Sequence, residues 1–206
     1  MPRPKTLPDK DVLDVALELI HERGPEALTF AGVAGACGLS SATLVQRFKS
    51  KAGLIQSTLL HAWDRLDEKT ATLAALAPKT AAGAIELLVT LSRDYGGIES
   101  YANGLLLLRE DLRDPALRSR GASWKAALCQ ALEDCFSEVP RAPHGIGLLM
   151  AAQWQGSLLW WSFDPQGGVE SFVEDGLKRF VAAILPSPPA SRSRKRAAQR
   201  RRSERV

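Results

Sequence analysis

The sequence predicts an all-α protein with an N-terminal three-helix unit followed by a larger helical region. Apolar residues recur at helical spacing along most of the chain, and no stretch shows the strict alternation that is typical of strands. Capping and helix-breaking residues stand between the apolar stretches. The 206 residues, 45% of them hydrophobic, can build one or two compact domains with a real core.

The first predicted helix covers residues 11–23. Its apolar residues fall on one stripe, and Gly24-Pro25 ends it. The following segment, residues 31–48, predicts two short helices joined by the turn Gly38-Leu39-Ser40. Gly38 can adopt a positive φ and Ser40 can cap the second helix. This spacing is that of a helix-turn-helix, a motif that reads DNA.

The second helix of this motif predicts a DNA-reading surface. Leu44 and Phe48 lie four residues apart and are expected to face inward. Thr43, Gln46 and Arg47 are expected to share the opposite, outward face. By bidentate hydrogen bonding, Gln46 suits adenine and Arg47 suits guanine in a major groove.

The rest of the chain is predicted to be helical as well. A long helix follows the Ser50 cap, with inward residues at 55, 59, 62, 63 and 66. Five more helices are predicted, at residues 80–95, 99–112, 115–139, 144–163 and 169–185. We therefore expect a DNA-binding domain at 1–50, a helical effector-binding and dimerisation domain at 51–185, and a tail at 186–206.

Residues 12 to about 60 resemble the tetracycline-repressor (TetR) family of bacterial transcriptional regulators. The resemblance rests on a set of residues in register: Ala16, Glu22-Arg23-Gly24, Thr29, Val33-Ala34, Gly38-Leu39-Ser40, Thr43-Leu44, Phe48 and Lys51. It implies a homodimeric regulator, most often a repressor, that binds a palindromic double-stranded DNA operator. The expected DNA contacts are Thr29, Ser40, Ser41, Ala42, Thr43, Gln46, Arg47, Lys49 and Lys51.

The chain departs from the family pattern inside the second helix of the motif. The family usually has an aromatic pair after the Thr-Leu step, including a tyrosine that reaches a phosphate, whereas this chain has Val45-Gln46. Val45 cannot donate a hydrogen bond, so this phosphate contact must pass to Thr43, Lys49 or Lys51. Ala42 stands where the family has glycine or proline. Both changes favour a different base preference.

The resemblance also implies a four-helix dimer interface from the last two helices of each chain. The helix at 144–163 is apolar nearly all round, which favours cover on two sides. The expected interface residues are Leu158, Trp161, Phe172, Val173, Leu177, Phe180, Val181 and Ile184. The alternative is that Trp160 and Trp161 only fill an internal core.

A small-molecule effector is a further implication of the resemblance. Its expected contacts are apolar and aromatic: Trp63, Tyr95, Tyr101, Leu105, Leu108, Trp124, Leu128 and Trp154. Such a lining favours a hydrophobic or planar effector over a highly charged one. Core packing explains each of these residues equally well.

Charge is concentrated in the tail. Residues 186–206 hold eight basic residues and one acidic residue, a net charge of +7, which leaves −3 for the rest of a chain whose total is +4. The tail has no apolar residue before Val206 that could build a core, so we expect disorder. It is either a non-specific phosphate-binding arm or a solubilising end.

Several other classes of protein are disfavoured. No apolar run reaches the roughly 20 residues that span a bilayer, and no signal peptide precedes the first helix, so we expect a cytoplasmic protein without membrane contact. Cys37, Cys129 and Cys135 lack metal or redox spacing and are expected to be buried thiols, with a thiol sensor as the alternative. We expect no metal and no cofactor.

Two rival functions remain. An all-helical enzyme has little support, because His21, His61 and His144 are scattered and the first two are expected on polar helix faces. A non-specific architectural DNA-binding protein driven by the tail would bind with a steep salt dependence and no preferred sequence.

Overall fold

The computed structural model describes residues 7–185, and within this range it has nine α-helices and no strand. The helices are α1 (Asp9–Arg23), α2 (Phe30–Cys37), α3 (Ser41–Phe48), α4 (Lys51–Leu76), α5 (Ala81–Ser92), α6 (Ile98–Arg113), α7 (Pro115–Cys135), α8 (Ile146–Phe163) and α9 (Val169–Ile184). Short 3-10 turns occur at Pro25–Ala27 and Arg93–Tyr95. The predicted all-α class is therefore confirmed.

Two apolar cores form along the chain. The N-terminal core unites α1, α2, α3 and the start of α4 through buried residues that include Val12, Ile20, Val33, Leu44 and Leu54. The C-terminal core unites α5 to α9 around Leu88, Leu128, Met150, Trp154 and Leu177.

The long helix α4 joins the two cores. Its 26 residues span about 39 Å at 1.5 Å per residue. Leu54 belongs to the N-terminal core, whereas Leu66 and Leu73 pack against the C-terminal core. A second bridge comes from α6, where Asn103 donates a 2.9 Å hydrogen bond to the carbonyl of His21 in α1.

A close helix crossing positions α8 against α7. A side chain at Gly147 would place its Cβ 2.1 Å from the carbonyl oxygen of Cys129 in α7. The Gly147 N–H instead donates a 3.0 Å hydrogen bond to Glu133. Only glycine permits this approach, which brings the buried face of α8 into the C-terminal core.

Two helices end earlier than their predicted ranges. The predicted helix at 80–95 ends as an α-helix at Ser92 and finishes with a 3-10 turn. The predicted helix at 115–139 ends at Cys135, because the chain turns at Phe136 and places this side chain in the C-terminal core. The prediction of disorder for 186–206 lies outside the described residues.

Within residues 7–185, no helix has both the length and the apolar character needed to cross a membrane.

Candidate nucleic-acid interface

The turn between α2 and α3 has the geometry that its sequence predicts. Gly38 has a φ of +67°, in the left-handed region that favours glycine. The N–H of Leu39 donates a 2.9 Å hydrogen bond back to Ala34, and the Leu39 side chain packs against the N-terminal core. Ser40 Oγ accepts a 3.1 Å hydrogen bond from the N–H of Thr43 and so caps α3. Both ends of the turn are thereby fixed.

The solvent face of α3 is shifted from the predicted one. Leu44 and Phe48 are buried, as expected. The exposed residues, however, are Ser41, Ala42, Val45, Gln46 and the following Lys49. Thr43 is half-buried with its hydroxyl 2.8 Å from Ser40 Oγ. The prediction that Thr43, Gln46 and Arg47 share one exposed face is therefore wrong. Gln46 is on the exposed face, whereas Thr43 and Arg47 lie on the flank of α3 next to Leu44.

Arg47 is held against the start of α1. Its Nη1 donates a 2.7 Å hydrogen bond to the carbonyl of Leu7 and a 3.1 Å hydrogen bond to the Asp9 carboxylate. Only 22% of the Arg47 side chain is exposed. Since a guanine contact would require this guanidinium to leave Asp9, Arg47 in this conformation ties α3 to α1.

Cations flank the exposed face at the C-terminal end of α3. Lys49 Nζ donates a 2.7 Å hydrogen bond to the carbonyl of Gln46, and Lys51 Nζ donates one of the same length to the carbonyl of Glu26. Both residues are exposed. Thr29 is exposed as well, and its hydroxyl caps α2 by accepting from the N–H of Gly32. Residues 1–58 carry seven basic and six acidic side chains, so these cations stand in a region whose net charge is only +1.

Five of the predicted effector-binding residues form a connected aromatic cluster in the C-terminal domain. Ring centroids lie 5.7 Å apart for Trp63 and Trp124, 6.4 Å for Trp124 and Trp154, 6.3 Å for Trp154 and Tyr95, and 5.5 Å for Tyr95 and Tyr101. These spacings are those of rings in mutual contact. The cluster therefore packs as core in this conformation.

Polar partners fix the indoles of this cluster. Trp63 Nε1 donates to Asp111 at 3.0 Å, Trp124 Nε1 to Thr70 at 3.0 Å, and Trp154 Nε1 to Ser92 at 2.8 Å. Burial raises the pKa of the Asp111 carboxyl, and the hydrogen bond from Trp63 opposes that effect.

The remaining predicted effector residues are divided. Leu128 is buried beside Trp124 in the C-terminal core. Leu105 and Leu108, however, are 41% and 46% exposed on the outer face of α6. The prediction that they line an effector pocket is wrong for this conformation, because the face of α6 that carries these two leucines points to solvent.

A surface groove of about 360 Å³ lies between α4 and α7. It is lined in equal number by alanines and by the polar residues Asp67, Thr70, Arg120 and Ser123. Arg120 bonds both Asp67 and Asp64, the latter at 2.8 Å. Thr70 connects the groove to the aromatic cluster because it accepts the Trp124 hydrogen bond. None of the predicted effector residues lines this groove.

Residues 12–58, which contain the complete helix-turn-helix, match the sequence model described as bacterial regulatory proteins, tetR family. This match covers 47 of the 206 residues and agrees with the resemblance that the sequence implied. No curated protein sequence matches it significantly.

Solved structures of TetR-family and related regulators share the fold across nearly their whole length. A candidate transcriptional regulator from Saccharomonospora viridis, solved with choline, matches with a TM-score of 0.68 at 18% identity, over 87% of this chain and 98% of that one. The multidrug-binding protein EbrR, solved with ethidium, gives a TM-score of 0.60 at 21% identity, over 84% and 99%. The TetR-family regulator PfmR from Thermus thermophilus gives 0.57 at 20% identity, over 85% and 99%.

The expected dimer residues of this chain fall into two groups. Phe172, Phe180, Val181 and Ile184 on α9 are half-buried. Leu158, Trp161, Val173 and Leu177 are at most 3% exposed within the single chain. These four residues were expected at the dimer interface but lie in the core of the single chain, because α8 and α9 pack against each other and against α5 and α7.

The exposed apolar surface of α8 is a different set of side chains. We call it the α8 face; it consists of Leu148, Leu149, Leu159, Trp160 and Phe163, which are 42–75% exposed. The Trp160 and Phe163 rings lie 5.9 Å apart on it. Leu158 and Trp161 lie on the opposite side of α8 and are buried, so the helical spacing of these residues distinguishes the two faces, although the overall apolar character of the helix does not.

His61 is buried and not on a polar face as expected. Its Nε2 lies 2.8 Å from Asp14 Oδ1, and Arg65 donates to the same oxygen at 3.1 Å. These contacts join α4 to α1. The hydrogen bond with His61, aided by the charge of Arg65, lowers the pKa of the Asp14 carboxyl.

The three thiols are at least partly buried. Cys37 and Cys135 are buried and Cys129 is half-buried. Burial raises the pKa of Cys129 and of Cys135, which disfavours their thiolate forms.

Sequence reasoning missed two kinds of residue at these sites. Asp9 gave no signal as a partner of Arg47, because the contact joins residues 38 positions apart. The groove residues Asp67 and Arg120 are charged, so a search for apolar and aromatic side chains does not point to them. Their pairing depends on how α4 and α7 cross, which local patterns do not specify.

Proposed function

We propose that this chain is a cytoplasmic, homodimeric TetR-family repressor that binds a palindromic operator and is released from it by a small effector. The arrangement of α3 carries the DNA part of this proposal. The turn before α3 is fixed by Gly38 at one end and by the Ser40 cap at the other. The exposed face of α3 has the polar residues that suit a helix in a major groove.

The predicted DNA contacts divide into roles on this surface. Gln46 has an exposed amide that can bind adenine bidentately. Ser41 and Ala42 lie beside it at the start of α3, and Ser40, Thr43, Thr29, Lys49 and Lys51 surround it as phosphate or sugar contacts. Arg47 belongs to the same set if DNA displaces Asp9 from its guanidinium.

The α8 face supports the homodimer. Monomeric proteins rarely leave a contiguous apolar patch of this kind open to water. Its large side chains and the half-buried apolar residues of α9 can pack against the same residues of a second copy in a two-fold dimer. The two helix-turn-helix domains of such a dimer would bind two half-sites on one side of the duplex.

The aromatic cluster and the adjoining groove support an effector site in the C-terminal domain. A groove of about 360 Å³ is in the size range of small-molecule sites. Related structures were solved with choline and with ethidium, both organic molecules of modest size. For this chain we propose a mainly apolar or aromatic effector that contacts the cluster from the groove.

Selection of bound sequences from random duplex DNA tests the DNA part. The expected result is one enriched motif with two-fold symmetry. Enrichment of an asymmetric motif would contradict the dimer, and a pool without enrichment would contradict sequence-specific regulation and favour the architectural alternative.

Planar aromatic compounds that do not intercalate into DNA serve as first probes for the effector part, and choline, which has no aromatic ring, is the control. Each is tested by thermal shift and then added to an operator titration. An effector must raise the melting temperature and weaken operator affinity, because a ligand that binds both states equally shifts nothing. Stabilisation without any change in operator affinity would contradict induction by that class of compound.

A further inference from the structure

The centre of the exposed α3 face is apolar. Among the described residues 7–75, Val45 is the only large hydrophobic side chain left exposed, at 43%. Every other large apolar side chain in this range is buried or half-buried. An exposed valine is ordinary on a surface in general, but here it stands in the middle of the surface that is proposed to meet DNA.

The neighbours of Val45 define its setting. Ala42 lies one turn before it, Lys49 one turn after it, and Gln46 is the next residue along the helix. Ala42 therefore lies on the same side of the helix as Gln46, and Val45 points about 100° around the helix axis from Gln46. As a β-branched residue in a helix, Val45 has one strongly preferred χ1 rotamer, so its two methyl groups are held in a defined direction.

The chemistry of the major groove limits what such a side chain can recognise. Valine has no hydrogen-bonding group, so it gains nothing from the donors and acceptors of the base edges. The thymine C5-methyl is the apolar group that base pairs present in this groove. Arg47 does not compete for this position in the present conformation, because Leu7 and Asp9 hold its guanidinium at the flank of α3.

We propose that Val45 is a specificity-determining residue that packs against the C5-methyl of a thymine next to the base pair contacted by Gln46. The inference rests on the proposed function, namely that α3 enters the major groove. It deepens that function by assigning one A·T pair in each half-site to an apolar contact.

Replacement of thymine by deoxyuridine tests the contact directly. Uracil retains the O4 acceptor and the pairing with adenine and lacks only the methyl group. In the enriched operator, each thymine is replaced in turn, symmetrically in both half-sites, and affinity is measured by fluorescence anisotropy. Replacement at one position, made in both half-sites, should lower affinity by about 15-fold, because each half-site loses about fourfold, the factor that corresponds to about 0.8 kcal/mol for one buried methylene.

Protein variants identify the partner of that methyl group. Val45→Ala should bind the thymine and uracil operators equally at this position. Gln46→Ala is the matched control: it should keep the preference for thymine over uracil there and lose selectivity at the neighbouring pair. Both side chains are exposed, so circular dichroism and thermal unfolding should show folded proteins.

The outcomes separate this inference from the function on which it rests. A pool without enrichment overturns both. An enriched operator in which every thymine tolerates uracil overturns the role of Val45 alone. A uracil effect that is unchanged in Val45→Ala also overturns it, since the methyl group would then be contacted by another residue.

Discussion

The recognition helix α3 and the dimer-forming candidate α8 both have one buried and one exposed face, but their exposed faces differ in kind. That of α3 is short and mostly polar, with a single valine at its centre. That of α8 carries five large apolar side chains along an 18-residue helix. Polar side chains can hydrogen-bond to base edges, whereas apolar side chains pack against another protein surface. The exposed face of each helix therefore indicates the kind of partner that it binds.

The largest expected effect is on the free energy of unfolding and comes from the buried face of α8. Trp154 is 1% exposed in the C-terminal core, so Trp154→Ala should lower the free energy of unfolding by about 3–5 kcal/mol. Chemical denaturation measures this directly. Trp154→Phe keeps most of the packing and should lose far less. A loss below about 1 kcal/mol in Trp154→Ala would contradict a packed aromatic core.

Trp160→Arg tests the exposed face of α8. The side chain is 68% exposed in the single chain, so the variant should fold. In a dimer the same charge would be buried without a partner, and the dimer should dissociate in sedimentation velocity. Operator affinity should then fall by about 100-fold or more, because the two readers no longer bind as a unit.

Leu76→Arg is the control for this experiment. Leu76 is 77% exposed at the end of α4, outside the α8 face, and its replacement should leave both the dimer and operator affinity unchanged. A Trp160→Arg protein that remains dimeric would place the interface elsewhere. Leu177→Arg is not a suitable test, because this buried side chain supports its own chain.

Gln46→Ala tests the exposed face of α3. It should lower affinity for the operator by about 1–3 kcal/mol and relax selectivity at one base pair in each half-site. Unfolding should be unchanged within about 0.5 kcal/mol, since the side chain is exposed. Equal losses on operator and scrambled DNA would remove Gln46 from base reading.

Removal of residues 186–206 tests where non-specific affinity arises. Residues 1–58 have a net charge of +1 and the tail has +7, so truncation should weaken the salt dependence of binding. Each lost phosphate contact should reduce the slope of log K against log salt by about 0.9. The preferred sequence should be retained, and an altered motif would show that the tail reads bases.

The smallest expected effect lies at the contact between α1 and α4. The pKa of Asp14 is lowered by His61 and Arg65, so its stabilising contribution is present above the ordinary value of 3.8 and is lost as pH falls through the lowered value. Asp14→Asn should therefore be less stable than wild type at pH 7, and the difference should disappear at more acidic pH. A constant difference down to pH 2 would contradict this linkage.

The local features of the fold were predictable from the sequence. Gly38, Ser40, Ser50 and Thr80 mark helix ends that the structure confirms, because caps and turns depend on neighbouring residues. Leu44 and Phe48 were correctly predicted to be buried. The helix order and the all-α class followed from these signals and the helical spacing.

The surfaces were less predictable, because they depend on contacts between distant residues. Arg47 has the sequence pattern of an exposed base reader, yet Asp9 in α1 binds it. Leu177 and Trp161 have the pattern of an interface, yet α5, α7 and α8 of the same chain surround them. Leu105 and Leu108 have the pattern of a pocket wall, yet no other described helix covers that side of α6.

The central claim is that α3 reads a specific DNA sequence, and the ratio of two dissociation constants tests it most directly. The enriched operator and a scrambled duplex of equal length and composition are titrated at one salt concentration with wild type and with Gln46→Ala. Wild type should bind the operator about 10³-fold or more tighter than the scrambled duplex, and Gln46→Ala should reduce that ratio at least about fivefold. A wild-type ratio near one would contradict sequence reading by α3 and leave only attraction to phosphates.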